Sequence, residues 1–135
     1  MAILSNGWGT GLSAKQKQSQ AWVLDPQVVS TETVAAGNGS SNAVALSTTS
    51  TVSFVTTATN STHVSLANGI TGQVKIIVHK TRSNNKNLVI TPANFAAGST
   101  LTSDAASRSV TLLFDGTNWQ VVAGEITGTA EFVIA

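Results

Sequence analysis

The chain has 135 residues, with seven Lys+Arg, six Asp+Glu, two His and no Cys. That length suits one domain with a sizeable core, and a formal charge of +1 gives no reason to expect a polyanionic partner such as nucleic acid. The missing cysteines exclude disulfides, thiol nucleophiles, zinc ribbons and iron–sulfur clusters.

No apolar run approaches the roughly 20 residues that span a bilayer, so no membrane partner is expected. The opening MAILSNGWGTGLSAKQKQSQ places its lysines after a short, Gly-broken apolar piece. That order is not a secretory signal, and synthesis in the cytoplasm is expected. Charged residues make up only 10% of the chain, while sixteen Ser and nineteen Thr fill the gap. Thr and Val favour pleated backbone, and Ser and Thr hydroxyls compete with helical hydrogen bonds, so the chain should be mostly β. A surface so poor in charge suits one covered by other subunits, although free Thr-rich sandwiches also exist.

Residues 1–27 read as an extended N-terminal arm ahead of a β-domain at 28–135. The arm holds Trp8, Lys15, Lys17 and Trp22, and Ser13 with Gln16 has the form of a capping box over one or two helical turns. Two tryptophans in a segment that cannot bury them alone point to docking on a neighbouring subunit or partner. Folding back on the domain and a disordered tail are the alternatives. From residue 28 the apolar period is two. Strands are predicted at 28–36, 43–46, 51–56 with Val52 and Phe54 on one face, and 63–66. Gly37–Ser40 and Asn68-Gly69 read as turns, the latter needing positive φ.

The stretch Gln73–Lys80 is the most regular strand, with Val74, Ile76 and Val78 assigned to the core face and Lys75, Ile77 and His79 to the other. A polar loop at 83–87 leads to a return strand at 88–90. Thr91-Pro92, closed by Gly98, reads as a helical turn anchored by Phe95. Val110, Leu112 and Phe114, then an Asp115-Gly116-Thr117-Asn118 turn, then Trp119 and Val121, form a hairpin with a shared core face. The chain closes on Phe132, Val133 and Ile134, an apolar strand expected to pair with an edge and to serve self-association. About eight short strands at ten-residue spacing predict an all-β, single-domain sandwich or jelly-roll-like fold, or a small barrel. No sequence period of 20–50 residues indicates a solenoid.

Residues 68–124 carry a Gly-Gln-x-Lys strand (Gly72, Gln73, Lys75), V-x-T-P (Val89, Thr91, Pro92), G-S-T-L-T (Gly98–Thr102) and S-V-T-L-x-F-D-G-x-x-W (Ser109–Trp119). This stretch resembles a β-rich module of tailed-bacteriophage virion proteins, found in head-decoration proteins, capsid fibres and tail fibres. A short chain with one β-domain and an arm is most similar to capsid decoration, or cement, proteins. The resemblance implies a virion structural protein on the outer capsid surface that bridges neighbouring capsid subunits. It implies two partners: the major capsid protein and further copies of the chain, as a homotrimer. The alternative it leaves is a fibre or a host-receptor, carbohydrate-binding head module, with Asp115, Asn118 and Trp119 as the candidate rim.

No enzyme, cofactor or metal reading emerges from the residues. His63 and His79 lie on different predicted strands, with no carboxylate near either in sequence, and are read as unrelated and partly exposed. The carboxylates Asp25, Glu32, Asp104, Asp115, Glu125 and Glu131 are scattered. Asp115 with Asn118 is read as turn chemistry in preference to a calcium site. Lys75, Lys80, Arg82 and Lys86 are read as a solvated strand face and loop, with a basic patch as the alternative.

Overall fold

The computed structural model describes residues 29–124 and 132–135. The arm residues Trp8, Lys15, Lys17 and Trp22, and the capping box at Ser13, lie outside the described residues. Ten strands are formed among those described: β1 (Thr31–Ala35), β2 (Val44–Leu46), β3 (Val52–Thr57), β4 (His63–Leu66), β5 (Val74–Arg82), β6 (Leu88–Pro92), β7 (Leu101–Ser103), β8 (Arg108–Phe114), β9 (Trp119–Ala123) and β10 (Val133–Ile134). A single 3₁₀ turn, Ser40–Asn42, is the only helical element among them.

The strands form two five-stranded sheets, β1-β3-β5-β8-β9 and β10-β7-β6-β4-β2, which enclose one apolar core as a sandwich. The first six strands alternate between the sheets. In each sheet three of them run parallel, and the last two strands join antiparallel. The chain therefore winds in three coils, each made of one strand from either sheet. Pairing of Thr31 with Val52, Val52 with Ile76, Val44 with Val64 and Val64 with Ile90 sets the rise of this winding. It is a backbone repeat that the sequence hides. Some inward positions stacked on one another are chemically unlike, as in Glu32 on Ser53 and Val55 on His79, while others match, as in Val34 on Val55 and Leu46 on Leu66. Leu88–Ile90 is consequently not the hairpin return of β5 but a strand of the opposite sheet, parallel to β4.

Two local readings change with the topology. Thr91-Pro92 ends β6 rather than starting a helical turn. Its backbone is engaged beside Ser65 and Leu66, and a proline at the last strand position forfeits no ladder bond. Phe95 still packs on the core, bridged to Trp119. Gly69 has no positive φ, whereas Gly72 does. Gly69 is needed for another reason, because a Cβ there would come within 3.0 Å of the Trp119 ring.

The β8–β9 hairpin forms as read. Asp115 Oδ1 accepts the N–H groups of Thr117 and Asn118, both at 2.8 Å, and Gly116 takes φ 106°. Val110, Leu112, Phe114 and Trp119 are buried, with Val121 packed beside them. The Phe114 and Trp119 ring centroids lie 5.2 Å apart at 60°, a tilted arrangement suited to the ring quadrupoles. Trp119 Nε1 donates to the Ala67 carbonyl at 3.0 Å, so one indole ties the hairpin to the opposite sheet.

Candidate interaction surface

The faces of β5 and β3 are the reverse of those read from the sequence. Val74 is 41% exposed, and Ile76 and Val78 are half-buried on the outer surface, while Lys75, Ile77 and His79 are fully buried. On β3, Val55 enters the core and Phe54 stands half-buried outside; Val52, on that same outer face, is itself covered. The cause is register. Val110 and Leu112 must face inward on β8, and they pair with Ile77 and Lys75. The β5 residues at those positions are thereby drawn in, whatever their polarity.

Two internal networks satisfy the polar groups so buried. Lys75 Nζ donates to the carbonyls of Ser47 at 2.6 Å and Ser50 at 2.7 Å, and lies 3.3 Å from Glu32 Oε1. Glu32 Oε1 also accepts from the Ser47 N–H and the Ser53 hydroxyl. Three acceptors saturate the ammonium, which a buried charge requires. Desolvation lowers the Lys75 pKa, opposed by Glu32. Toward the other end of β5, His79 Nε2 lies 3.1 Å from the Thr57 hydroxyl and Nδ1 lies 3.0 Å from the Ser103 hydroxyl, joining the two sheets. Desolvation and then the Arg82 charge lower its pKa. His79 is thus not partly exposed, whereas His63 is half-buried and bonded to its neighbour Thr62. Lys75 likewise leaves the solvated basic face. Lys80 and Lys86 remain exposed, with Lys80 lying over the Phe54 ring at 5.8 Å.

Lys75 and His79 serve as internal fastenings, their hydrogen-bonding atoms engaged by the fold and closed to solvent, while the Glu32 carboxylate stays partly exposed. Among the described residues no group of three or more His, Cys, Asp or Glu converges as a metal site. An open cleft of about 540 Å³ lies between the β2–β3 and β4–β5 loops, lined by Thr48, Thr49, Ile70, Thr71, Gly72 and Gln73. Among the described residues no ionisable side chain lines it. Of the candidate glycan rim, Asp115 is exposed and Asn118 half-buried, whereas the ring of the third residue is not at the surface. Trp119 is fully buried, and Asp115 is occupied by its own turn and by Gln120, hydrogen bonds that lower its pKa.

The candidate surface is the outer face of the first sheet. In register across β3, β5 and β8 lie Val52 beside Ile76, Phe54 beside Val78, and Val74 beside Leu113. Val122 joins them at a bulge of β9 and is 54% exposed. Apart from Lys80, itself at the β5 bulge, no strand residue of this face is charged. The C-terminal residues expected to self-associate divide. Phe132 is fully buried in the chain's own core and Ile134 packs against it, because β10 pairs with β7 of the same chain. Val133 alone of the three is exposed, at 49%. Sequence reasoning missed this face because it assigned its residues to the interior.

The chain matches no family model, no curated protein and no solved structure.

Proposed function

We propose that the protein is a non-enzymatic structural component of a virion, a decoration protein that binds the outer capsid surface and bridges neighbouring capsid subunits. One observation carries this reading: a sheet whose outer face is almost without charge and holds an apolar cluster of Phe54, Val74, Ile76, Val78 and Leu113 amid Thr and Ser. Contiguous apolar surface of this kind marks protein–protein contact. Copies of the chain associate through this face about a symmetry axis, as a trimer. The segment ahead of β1 reaches the capsid protein with Trp8, Lys15, Lys17 and Trp22. Many moderate contacts repeated over a lattice sum to a large stabilisation without a tight single site. The resemblance of residues 68–124 to phage virion modules supports the setting, and the charge-poor composition supports extensive coverage by other subunits.

Co-sedimentation with purified capsids of the parent particle tests the reading. The whole protein is expected to pellet with shells and to raise their resistance to heat, and the form lacking residues 1–24 is expected to stay in the supernatant while remaining folded. A protein absent from purified particles, or one that leaves shells unbound, contradicts it.

A further inference from the structure

Two Asn-Gly pairs and one Asp-Gly pair lie among the described residues, at Asn38-Gly39, Asn68-Gly69 and Asp115-Gly116. A glycine after asparagine or aspartate favours spontaneous ring closure, because no side chain keeps its backbone nitrogen away from the preceding side-chain carbonyl carbon. The sequence offers this chemistry three times, and the fold separates the three.

Asp115 is held on both oxygens. Its Oδ1 accepts from the Thr117 and Asn118 N–H groups and its Oδ2 from Gln120. These bonds favour the ionised carboxylate, the form least open to attack on carbon. Asn68 is also held. Asn94 Nδ2 donates to its Oδ1 at 3.1 Å. Gly69 beside it is crowded: a Cβ there would stand 3.0 Å from the Trp119 ring and 2.5 Å from the Gln73 side-chain oxygen.

Asn38 differs on each count. Its side chain is exposed and makes no hydrogen bond with any described residue. Gly39 takes φ 75°, and a Cβ there would meet nothing within 4 Å. The Gly39 N–H donates to no described residue. Asn42 Nδ2 donates to the Asn38 main-chain carbonyl at 3.4 Å, a long bond that draws electron density from the Asn38–Gly39 amide and eases loss of its proton. The fold is fastened just before this point, where the Thr62 and His63 N–H groups donate to the Gly37 carbonyl.

We infer that Asn38 is a site of spontaneous covalent modification, at which the Gly39 nitrogen closes on the Asn38 side-chain amide carbon while the domain stays folded. The new N–Cγ bond forms as the Cγ–Nδ2 bond breaks. The Gly39 nitrogen gives its proton to solvent hydroxide, and the side-chain nitrogen leaves as ammonia after taking a proton from water. Water then opens the succinimide at either carbonyl, leaving aspartate or isoaspartate. Nothing is oxidised or reduced, and water is the sole co-reactant. Each event takes the formal charge of the chain from +1 to zero, and a net charge near zero promotes association. This holds whether or not the chain decorates a shell.

Full-length protein held at about pH 8.5 and 37 °C tests it, with samples taken over time and mapped by mass spectrometry under fragmentation that locates aspartate and isoaspartate. Asn38 is expected to convert about tenfold faster than Asn68 in the folded protein, a barrier difference of about 1.4 kcal/mol. In concentrated guanidinium chloride the two rates are expected to converge, since both become bare Asn-Gly pairs. Asn68 converting as fast as Asn38 in the folded protein overturns the inference, as does an Asn38 that stays intact there while the unfolded chain converts it. A tenfold difference that persists in denaturant overturns it too, because the choice would then lie in the neighbouring sequence. As a second readout, Asn38→Asp is expected to keep the native thermal midpoint. A midpoint lowered by more than about 4 °C would mean that the domain does not tolerate the change.

Discussion

The outer faces of the two sheets differ in how their apolar residues are grouped, although both also carry Thr and Ser, as at Thr31, Thr33, Ser109 and Thr111 on the first. On the first sheet, Phe54, Ile76, Val78, Val74 and Leu113 form a connected apolar field. On the second, the equivalent rows are His63 beside Val89 beside Thr102 beside Val133, and Ser65 beside Thr91. Both sheets give their other face to the same core, so core formation cannot account for the difference. An apolar cluster on the outer side of a sheet whose other side already fills the core suits a second contact, beyond the chain.

Neighbouring residues of one strand sharpen this comparison most strongly. Ile77→Ala removes a buried side chain between the sheets and is expected to cost about 2–5 kcal/mol of folding stability in denaturant titration. Ile76→Ala, one residue away on the outer face, is expected to cost under about 1 kcal/mol in the isolated subunit. Equal losses at the two positions would abolish the distinction between the faces of β5.

Lys75→Met should come next in size. It leaves the Ser47 and Ser50 carbonyls without their donor and Glu32 without its cation. Removing one partner of a buried pair costs about 3–5 kcal/mol, and the partial exposure of Glu32 places this case at the lower end, about 3 kcal/mol. Were Lys75 on the solvated face, as its residue type suggests, the same substitution would be nearly silent.

A smaller effect follows from pH. Burial lowers the folded-state pKa of His79 below its ordinary value near 6.5, so the unfolded chain binds the proton more readily. The fastening is therefore fully present above about pH 6.5 and weakens as the pH falls through and below that value. Arg82 adds to the effect and Asp104 opposes it. Thermal midpoints measured from pH 7.5 to 5 should fall for the native protein and fall less for His79→Gln.

Much of the fold was legible where its causes are local. The Asp115-Gly116 turn, the Phe114–Trp119 pair and the alternation along β8 lie within a dozen residues of each other, and all three formed as read. The face of β5 was not legible, because Val-Ile-Val and Lys-Ile-His alternate on one strand and apolarity alone chooses the first set. The partners that make Lys75 and His79 tolerable inside lie far off in sequence, at Glu32, Ser47, Ser50, Thr57 and Ser103. The winding escaped notice for the same reason. Parallel pairing joins residues one coil apart, and only the Val-x-Leu triplets of β2 and β4 keep a visible trace of it. The candidate surface was legible only in composition, as a chain with too little charge for the area it exposes.

Sedimentation velocity over a range of concentrations tests the central claim, that the outer face of the first sheet is a contact surface, most directly. The native protein is expected to sediment as an oligomer, a trimer, and Ile76→Glu as a folded monomer, while Thr91→Glu on the second sheet leaves the oligomer intact. A native protein that stays monomeric at high concentration, or an oligomer that Ile76→Glu does not disturb, would contradict the account.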